Sequence, residues 1–361
     1  MPAITAWECY KARLATCGFI YSDLVPIALS TWVARKWLGE PLWVLVIGPP
    51  SMGKTLPVTL AKNSPDVISA SSITPAGLVT AYGGSDHDKS LLAQLNGKNL
   101  IIKDFGTIMS LGWEATMAVM AILREAFDGQ ISRKFAHVDR NYTLKFTIIA
   151  ASTNSADTHA GMSQHLGERF LRCRPTPINV PYPSPPEVEV KAREITREFL
   201  MGLVLPVAPP VPQDGLLLKA AVVASKLRTL TLRDSRHHEI VEVPHFEQPY
   251  RLVHQLEKLK AAVEFLTGDN ALAECLALRL AMDCIPPRRR IIFNLLLDNP
   301  TMETPAIIQA MTLGGLVIRG MLDDMYALGL VTKQMLGYPK TWQWSLAKEI
   351  HDEVTEVFGR L

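Results

Sequence analysis

The chain has 361 residues, 48% of them hydrophobic, and its 37 lysines and arginines stand against 35 aspartates and glutamates, a formal net charge of +2. That length and apolar content suffice for two or three cored domains and exclude a disordered or fibrous chain, while the balance of charge gives no global attraction for nucleic acid, a membrane surface or an acidic substrate. Cys9, Cys17, Cys173, Cys275 and Cys284 have neither zinc-site spacing nor the density of a disulfide framework, so reduced thiols are expected.

Met1 to Glu8 has no basic region leading into an apolar stretch, and the longest apolar runs stop short of the ~20 residues a bilayer needs. A cytoplasmic location without a membrane partner is therefore expected. Residues 1–36 read as an amino-terminal helical segment. Pro41 then leads into the apolar run Leu42 to Ile47, a buried strand ended by glycine and prolines. Further strand-like runs, Asn99 to Lys103 and Leu144 to Ala151, alternate with helical stretches as far as about Arg174, which implies an α/β fold with a parallel sheet covered by helices on both faces. Pro-rich connectors, Pro175 to Pro186 and Pro206 to Pro212, flank one amphipathic helix from about Glu187 to Val204. Leu216 to Met282 is helical apart from a polar loop between Arg233 and Pro249. Arg288 to Leu346 gives three helices and two strands, Leu330 to Gln334 and Thr341 to Leu346, around a turn with Gly337 and Pro339, a pattern that suggests a winged helix. The expected division is 1–36, 37–205, 206–286 and 287–361.

Gly48-Pro49-Pro50-Ser51-Met52-Gly53-Lys54-Thr55 fits the phosphate-loop pattern G-x-x-x-x-G-K-[ST] at every required position, after a buried strand and before a helix. The glycines let main-chain N–H groups converge on the phosphates of ATP, and a helix N-terminus adds partial positive charge. Lys54 would neutralise the β and γ phosphates and Thr55 offer its hydroxyl to Mg2+. A carboxylate from the end of a neighbouring apolar strand completes such a site, and Asn99-Leu-Ile-Ile-Lys-Asp104 supplies Asp104 as the second metal ligand. Many ATPases of this kind carry a water-orienting glutamate next. Here that residue is Phe105, so the sequence provides for binding more fully than for hydrolysis.

Three more stretches follow in order: Ile122-Leu-Arg-Glu-Ala-Phe-Asp-Gly-Gln-Ile-Ser-Arg-Lys-Phe135, Phe146-Thr-Ile-Ile-Ala-Ala-Ser-Thr-Asn154 and Leu166-Gly-Glu-Arg169-Phe170. With the loop and Asp104 they resemble AAA+ ATPases over roughly Trp37 to Pro286, closest in pattern to minichromosome-maintenance-like helicases and the ATPases of phages and integrative mobile elements. The resemblance implies that Asn154 ends the sensor 1 strand and bonds the attacking water or γ-phosphate. It makes Arg169 the arginine finger that reaches a neighbouring subunit's ATP, with Arg172 and Arg174 as substitutes. It puts a hairpin before Asn154 into a central pore, with Lys134, His137 and Arg140 along or near the tip, where cations can follow a phosphate backbone. The same hairpin also reads as an ordinary surface element. Glu125 and Glu114 are the nearest upstream carboxylates to stand in for the missing glutamate. Pro249-Tyr-Arg251-Leu-Val-His254 resembles the sensor 2 helix of a helical lid. His254 takes the family's arginine position and Arg251 lies one turn earlier, so either shares the face toward the γ-phosphate.

In the carboxy-terminal module, Thr304-Pro305 reads as a helix start with Thr as cap, and the spacing to the next helix is that of a helix-turn-helix. The second helix offers Arg319 against Asp323 and Asp324. Lys333, Tyr338 and Lys340 on the wing, with Arg288, Arg289 and Arg290 at its base, suit phosphate contact, and subunit docking is the other role open to this module. His237 and His238 read as a solvated loop, and the stretch Met109 to Met120 as core. The expected function is an AAA+ ATPase on DNA: a homo-oligomeric helicase or translocase, with a hexamer as the candidate ring and single-stranded DNA in its pore. The alternative is an ATP-controlled switch, loader or regulator.

Overall fold

Short, largely apolar runs form the inner strands of the larger sheet, and strand burial follows position in that sheet. The computed structural model describes residues 5–82, 88–158, 168–176, 185–206, 215–234, 236, 238–337 and 340–358. Leu166, Gly167, His237, Tyr338, Pro339 and most of both Pro-rich stretches lie outside the described residues. The chain divides into two units, Met1–Pro212 with His254–Leu280, and Gln213–Val253 with Ala281–Leu361.

The first unit is an α/β fold built on five parallel strands: β1 (Trp43–Ile47), β2 (Val67–Ala70), β3 (Asn99–Ile102), β6 (Thr147–Ser152) and β7 (Leu171–Cys173), in the order β2-β3-β6-β1-β7. Every residue of β1, β3, β6 and β7 is buried, whereas β2 at the edge is partly exposed. Helices α1 (Ala6–Thr16), α2 (Leu24–Val33), α3 (Thr55–Thr59), α4 (Pro75–Leu78), α5 (Gly106–Met109), α6 (Trp113–Phe127), α7 (Ser155–Thr158) and α8 (Pro186–Met201) flank the sheet. The expected passage from helix to hairpin is present, as α6 leads into the antiparallel pair β4 (Gln130–Lys134) and β5 (Asp139–Thr143). Trp43 packs against Phe127, Phe146 and Phe170 with ring centroids 5.1 to 5.3 Å apart. Burial of each such ring contributes about 1.5–3 kcal/mol. A polar contact ties α2 to this core: Asn99 Nδ2 donates to the hydroxyls of Thr31 and Thr147, both at 3.0 Å. Tyr10 of α1 stacks on Phe199 of α8 at 4.4 Å, and its hydroxyl meets Thr196 at 2.9 Å.

Two long helices, α10 (Tyr250–Thr267) and α11 (Asn270–Asp283), run across the division between the units. From α10 the buried ammonium of Lys258 donates to the carbonyls of Leu38 (2.9 Å) and Glu40, which fixes the approach to β1.

The second unit holds α9 (Gly215–Arg228), the small pair β8 (Leu232–Arg233) and β9 (Ile240–Glu242), then α12 (Pro287–Asp298), β10 (Met302–Glu303), α13 (Thr304–Met311), α14 (Gly315–Ala327), β11 (Val331–Leu336), β12 (Thr341–Leu346) and α15 (Lys348–Phe358). Three helices thus precede a hairpin, as expected, and β10 adds a third antiparallel strand in the order β10-β12-β11. The cap expected at Thr304 is corrected. The N-cap is Glu303, because the Thr304 hydroxyl is committed to Trp344 Nε1 (2.9 Å) and to the Trp342 carbonyl (3.2 Å). Among the described residues no single helix is long and apolar enough to cross a membrane.

Candidate functional site

The loop from Gly48 to Lys54 leaves β1 at its carboxyl end, where the Gly48 N–H still donates to Ser152 of β6 (3.3 Å). Two residues in it are left-handed, Ser51 at φ 60° and Gly53 at φ 80°. That backbone calls for glycine at Gly53, while at Gly48 a Cβ would come 2.6 Å from Met52 Sδ, so the Met52 side chain would have to shift. The Lys54 side chain is buried, and its ammonium donates to the carbonyls of Gly48 (2.7 Å) and Pro49. Three N–H donors are available on an ammonium, so this grip leaves one for an anion. Desolvation holds the Lys54 pKa below its ordinary value, and the charge of Asp104 opposes that shift. Thr55 is exposed at the start of α3. The helix after the loop is only Thr55–Thr59, continued by a 3-10 turn over Leu60–Asn63, so the macrodipole the motif normally supplies is short here.

Because all five strands are parallel, their carboxyl ends share one edge of the sheet, and that edge collects the loop and two more of the expected residues. Ile47 pairs with Ser152, and Ile102 pairs with Ala150. The loop, Asn154 and Asp104 therefore follow three neighbouring strands, across roughly 10 Å at the usual strand spacing. Asp104 and Asn154 are both exposed. The Asp104 Oδ1 accepts from the Gly106 N–H (2.8 Å), which orients the carboxylate. Phe105 turns the other way: it is 3% exposed and meets the Phe170 ring edge-on at 5.4 Å. The position after Asp104 is thus core, closed to a water-orienting carboxylate.

Arg169 lies on the opposite edge. It precedes β7, whose first residue Leu171 pairs with Val44 near the start of β1. Five residues of β1 put about 16 Å between that edge and the loop of the same chain. The Arg169 guanidinium sits over the Phe127 ring (5.4 Å) and 3.5 Å from Asp128, while its carbonyl accepts from Gln255 Nε2 (3.2 Å). Arg172 and Arg174 both pair with Asp157, at 3.3 and 2.7 Å, and Arg172 also pairs with Glu168 at 2.7 Å.

The hairpin starts from that same edge, and its two faces differ. Ile131, Arg133, Arg140 and Tyr142 point inward, while Lys134 and Asp139 are exposed beside each other and His137 is exposed in the turn. Arg140, expected near the tip facing DNA, is corrected to an inward anchor. It is 4% exposed and donates to the carbonyls of Thr80 (3.2 Å) and Tyr82 (3.4 Å), with Asp88 3.6 Å away. Tyr142 donates to the same Asp88 at 2.6 Å, and burial with that bond pushes its pKa up to about 12. Glu125 is held by Arg133 in a two-bond ion pair (2.6 and 3.0 Å), which joins α6 to the hairpin. Glu114 is exposed in the first turn of α6.

On α10, His254 Nδ1 lies 3.7 Å from Glu40 in the first unit, and Arg251 lies 3.4 Å from Glu247 in the second. Their neighbour Gln255 is the residue that sequence reasoning missed. It is buried, accepts from the Trp43 N–H (3.3 Å) and donates to the Arg169 carbonyl, so one amide binds α10 to both β1 and the Arg169 turn. A glutamine between His254 and Leu256 on a helix carries no signal of that role in sequence.

In the second unit, Arg289 is buried and donates to the carbonyls of Leu227 (3.0 Å) and Thr229. Burial lowers its pKa to about 10. The expected phosphate contact of Arg289 is therefore corrected to a helix-end anchor. Arg290 pairs with Asp283 at 2.5 Å, and Arg288 is exposed. Lys333 is surrounded by Tyr326, Trp342 and Trp344, with centroids 4.2 to 5.7 Å away, and by Asp323 at 3.7 Å. Lys340 is exposed. Among the described residues no group of three or more His, Cys, Asp or Glu could hold a metal ion. Compared with known proteins, the chain matches no protein-family model and no curated protein.

Proposed function

We propose that the chain is an AAA+ ATPase that binds ATP with Mg2+ at the Gly48 loop and acts on DNA as a ring-forming helicase or translocase of a phage or mobile element. The observation that carries this reading is the sheet order: it gathers the loop, Asp104 and Asn154 at one edge and leaves Arg169 at the other. A cation that cannot reach its own loop across about 16 Å suits the loop of a second copy. The donors fit the group as well. Lys54 is cationic and pre-held, and Thr55 and Asp104 offer the exposed oxygens that Mg2+ takes alongside phosphates rather than a dedicated protein cage. When bound, Mg2+ supplies charge neutralisation at the phosphates. Lys54 directs its remaining N–H at a phosphate oxygen, Asn154 orients a water at the γ-phosphate, and Arg169 from the neighbouring copy offsets charge developing there. In this reading residues 206–286 are the helical lid and residues 287–361 the winged helix. Lys134 and the exposed His137 on the hairpin are the groups offered to a single strand in the pore of a homo-oligomer, for which a hexamer is the candidate size.

One observation favours the alternative, an ATP-controlled switch or loader with slow turnover: Phe105 is core and Glu125 is committed to Arg133, so neither supplies the base. Steady-state ATPase with and without single-stranded DNA, combined with strand displacement, separates the two. Fast DNA-stimulated turnover with displacement supports the motor. ATP-dependent assembly with little turnover supports the switch, and absence of ATP binding in folded protein rejects both.

A further inference from the structure

We infer that Asp128 is a positioning residue that restrains Arg169 at the root of the hairpin until a second copy docks. The inference rests on the proposed role of Arg169 as a finger in trans. Phe127 is the last residue of α6 and Asp128 the next, and Gly129 closes the hairpin base by accepting from the Leu144 N–H (3.0 Å). Two groups against the Arg169 guanidinium, the Phe127 ring at 5.4 Å and the Asp128 carboxylate at 3.5 Å, thus belong to the segment that carries the hairpin. The Arg169 backbone does not have to move with the side chain, because Gln255 holds its carbonyl from α10. Side-chain rotation alone therefore takes the guanidinium, now 12% exposed, from this restraint toward a neighbour. A shift of the hairpin moves Asp128 directly, so an occupied hairpin and a released finger are parts of one rearrangement. Asp128 is 58% exposed at its side chain, so its substitution leaves the core intact.

The test compares wild type with Asp128→Asn in ATP turnover per subunit against protein concentration. An ion pair of this exposure is worth a fraction of a kcal/mol to ~1 kcal/mol, so the concentration giving half-maximal turnover should fall about two- to five-fold with the plateau unchanged. Asp128→Lys, which repels the guanidinium, should shift it in the same direction and further. Light scattering of ATP-dependent assembly should then give the same midpoint for Arg169→Ala and for Arg169→Ala with Asp128→Asn, since the restraint has nothing left to act on. An unchanged or raised midpoint for Asp128→Asn overturns the inference. An equal shift in the Arg169→Ala background does so too, because Asp128 would then act through its own charge at the interface. Normal turnover by Arg169→Ala alone overturns the finger reading and this inference with it.

Discussion

Lys54 is gripped by the loop that it serves, and that is where single substitutions have the sharpest consequences. Lys54→Ala removes a charge-assisted contact worth about 3 kcal/mol, so calorimetry should find ATP binding weakened by roughly 100-fold or more. Gly53→Ala forces a side chain into a left-handed backbone at a cost of about 1–2 kcal/mol, which should appear as weaker nucleotide binding with little change in the rest of the fold. Phe105→Glu would put the glutamate usual in the ATPases that the sequence resembles where this chain has core. Burying that carboxylate beside Phe170 should lower stability by several kcal/mol on the ~1–3 kcal/mol scale of an unpaired buried group plus the lost ring, and thermal unfolding would detect it without any gain of turnover. Lys258 gives a pH signature. Burial lowers its pKa to about 8 from the ordinary 10.5, so below pH 8 the folded state carries the cost of a buried charge. Between these two values only the unfolded chain holds the proton, and stability should rise with pH across that window. Chemical denaturation at pH 8 and pH 10.5 should show this rise in wild type and not in Lys258→Met.

At the scale of elements, the hairpin illustrates what sequence alone reveals. Its existence is legible because a helical period ends at Phe127 and Gly129 follows. Its inward face is also written in the alternation of Ile131 and Tyr142, which assigns Arg133 and Arg140 to the same buried side and Lys134 to the exposed one. Reading charge without that alternation offers Arg140 to DNA, whereas its partners are the carbonyls of Thr80 and Tyr82, distant in sequence and invisible there. Lys134→Ala should therefore weaken single-stranded DNA binding and flatten its salt dependence while leaving the melting temperature in place, and Arg140→Ala should lower the melting temperature. Strands β1, β3 and β6 are legible as continuous apolar runs because both of their faces are covered. Strands β2 and β7 are not, since Val67-Ile-Ser-Ala70 lies at an edge and Leu171-Arg-Cys173 is short, and tertiary pairing rather than local pattern makes them strands. The candidate site was legible where a motif fixes spacing, at Gly48 to Thr55 and Asp104. Gln255 was not, because its partners are main-chain groups of Trp43 and Arg169.

At the scale of the molecule, the proposed triphosphate site on the carboxyl edge of the sheet and the proposed finger on its amino edge require that copies share their sites. Lys54→Ala subunits lack the loop cation but keep Arg169, and Arg169→Ala subunits keep the loop but lack the finger. Each variant alone should be inactive as an ATPase. Mixed in equal amounts before assembly, they should regain a substantial part of wild-type turnover, as intact loops meet intact fingers. A mixture no more active than the sum of its two components, in protein that assembles normally, would contradict the shared site.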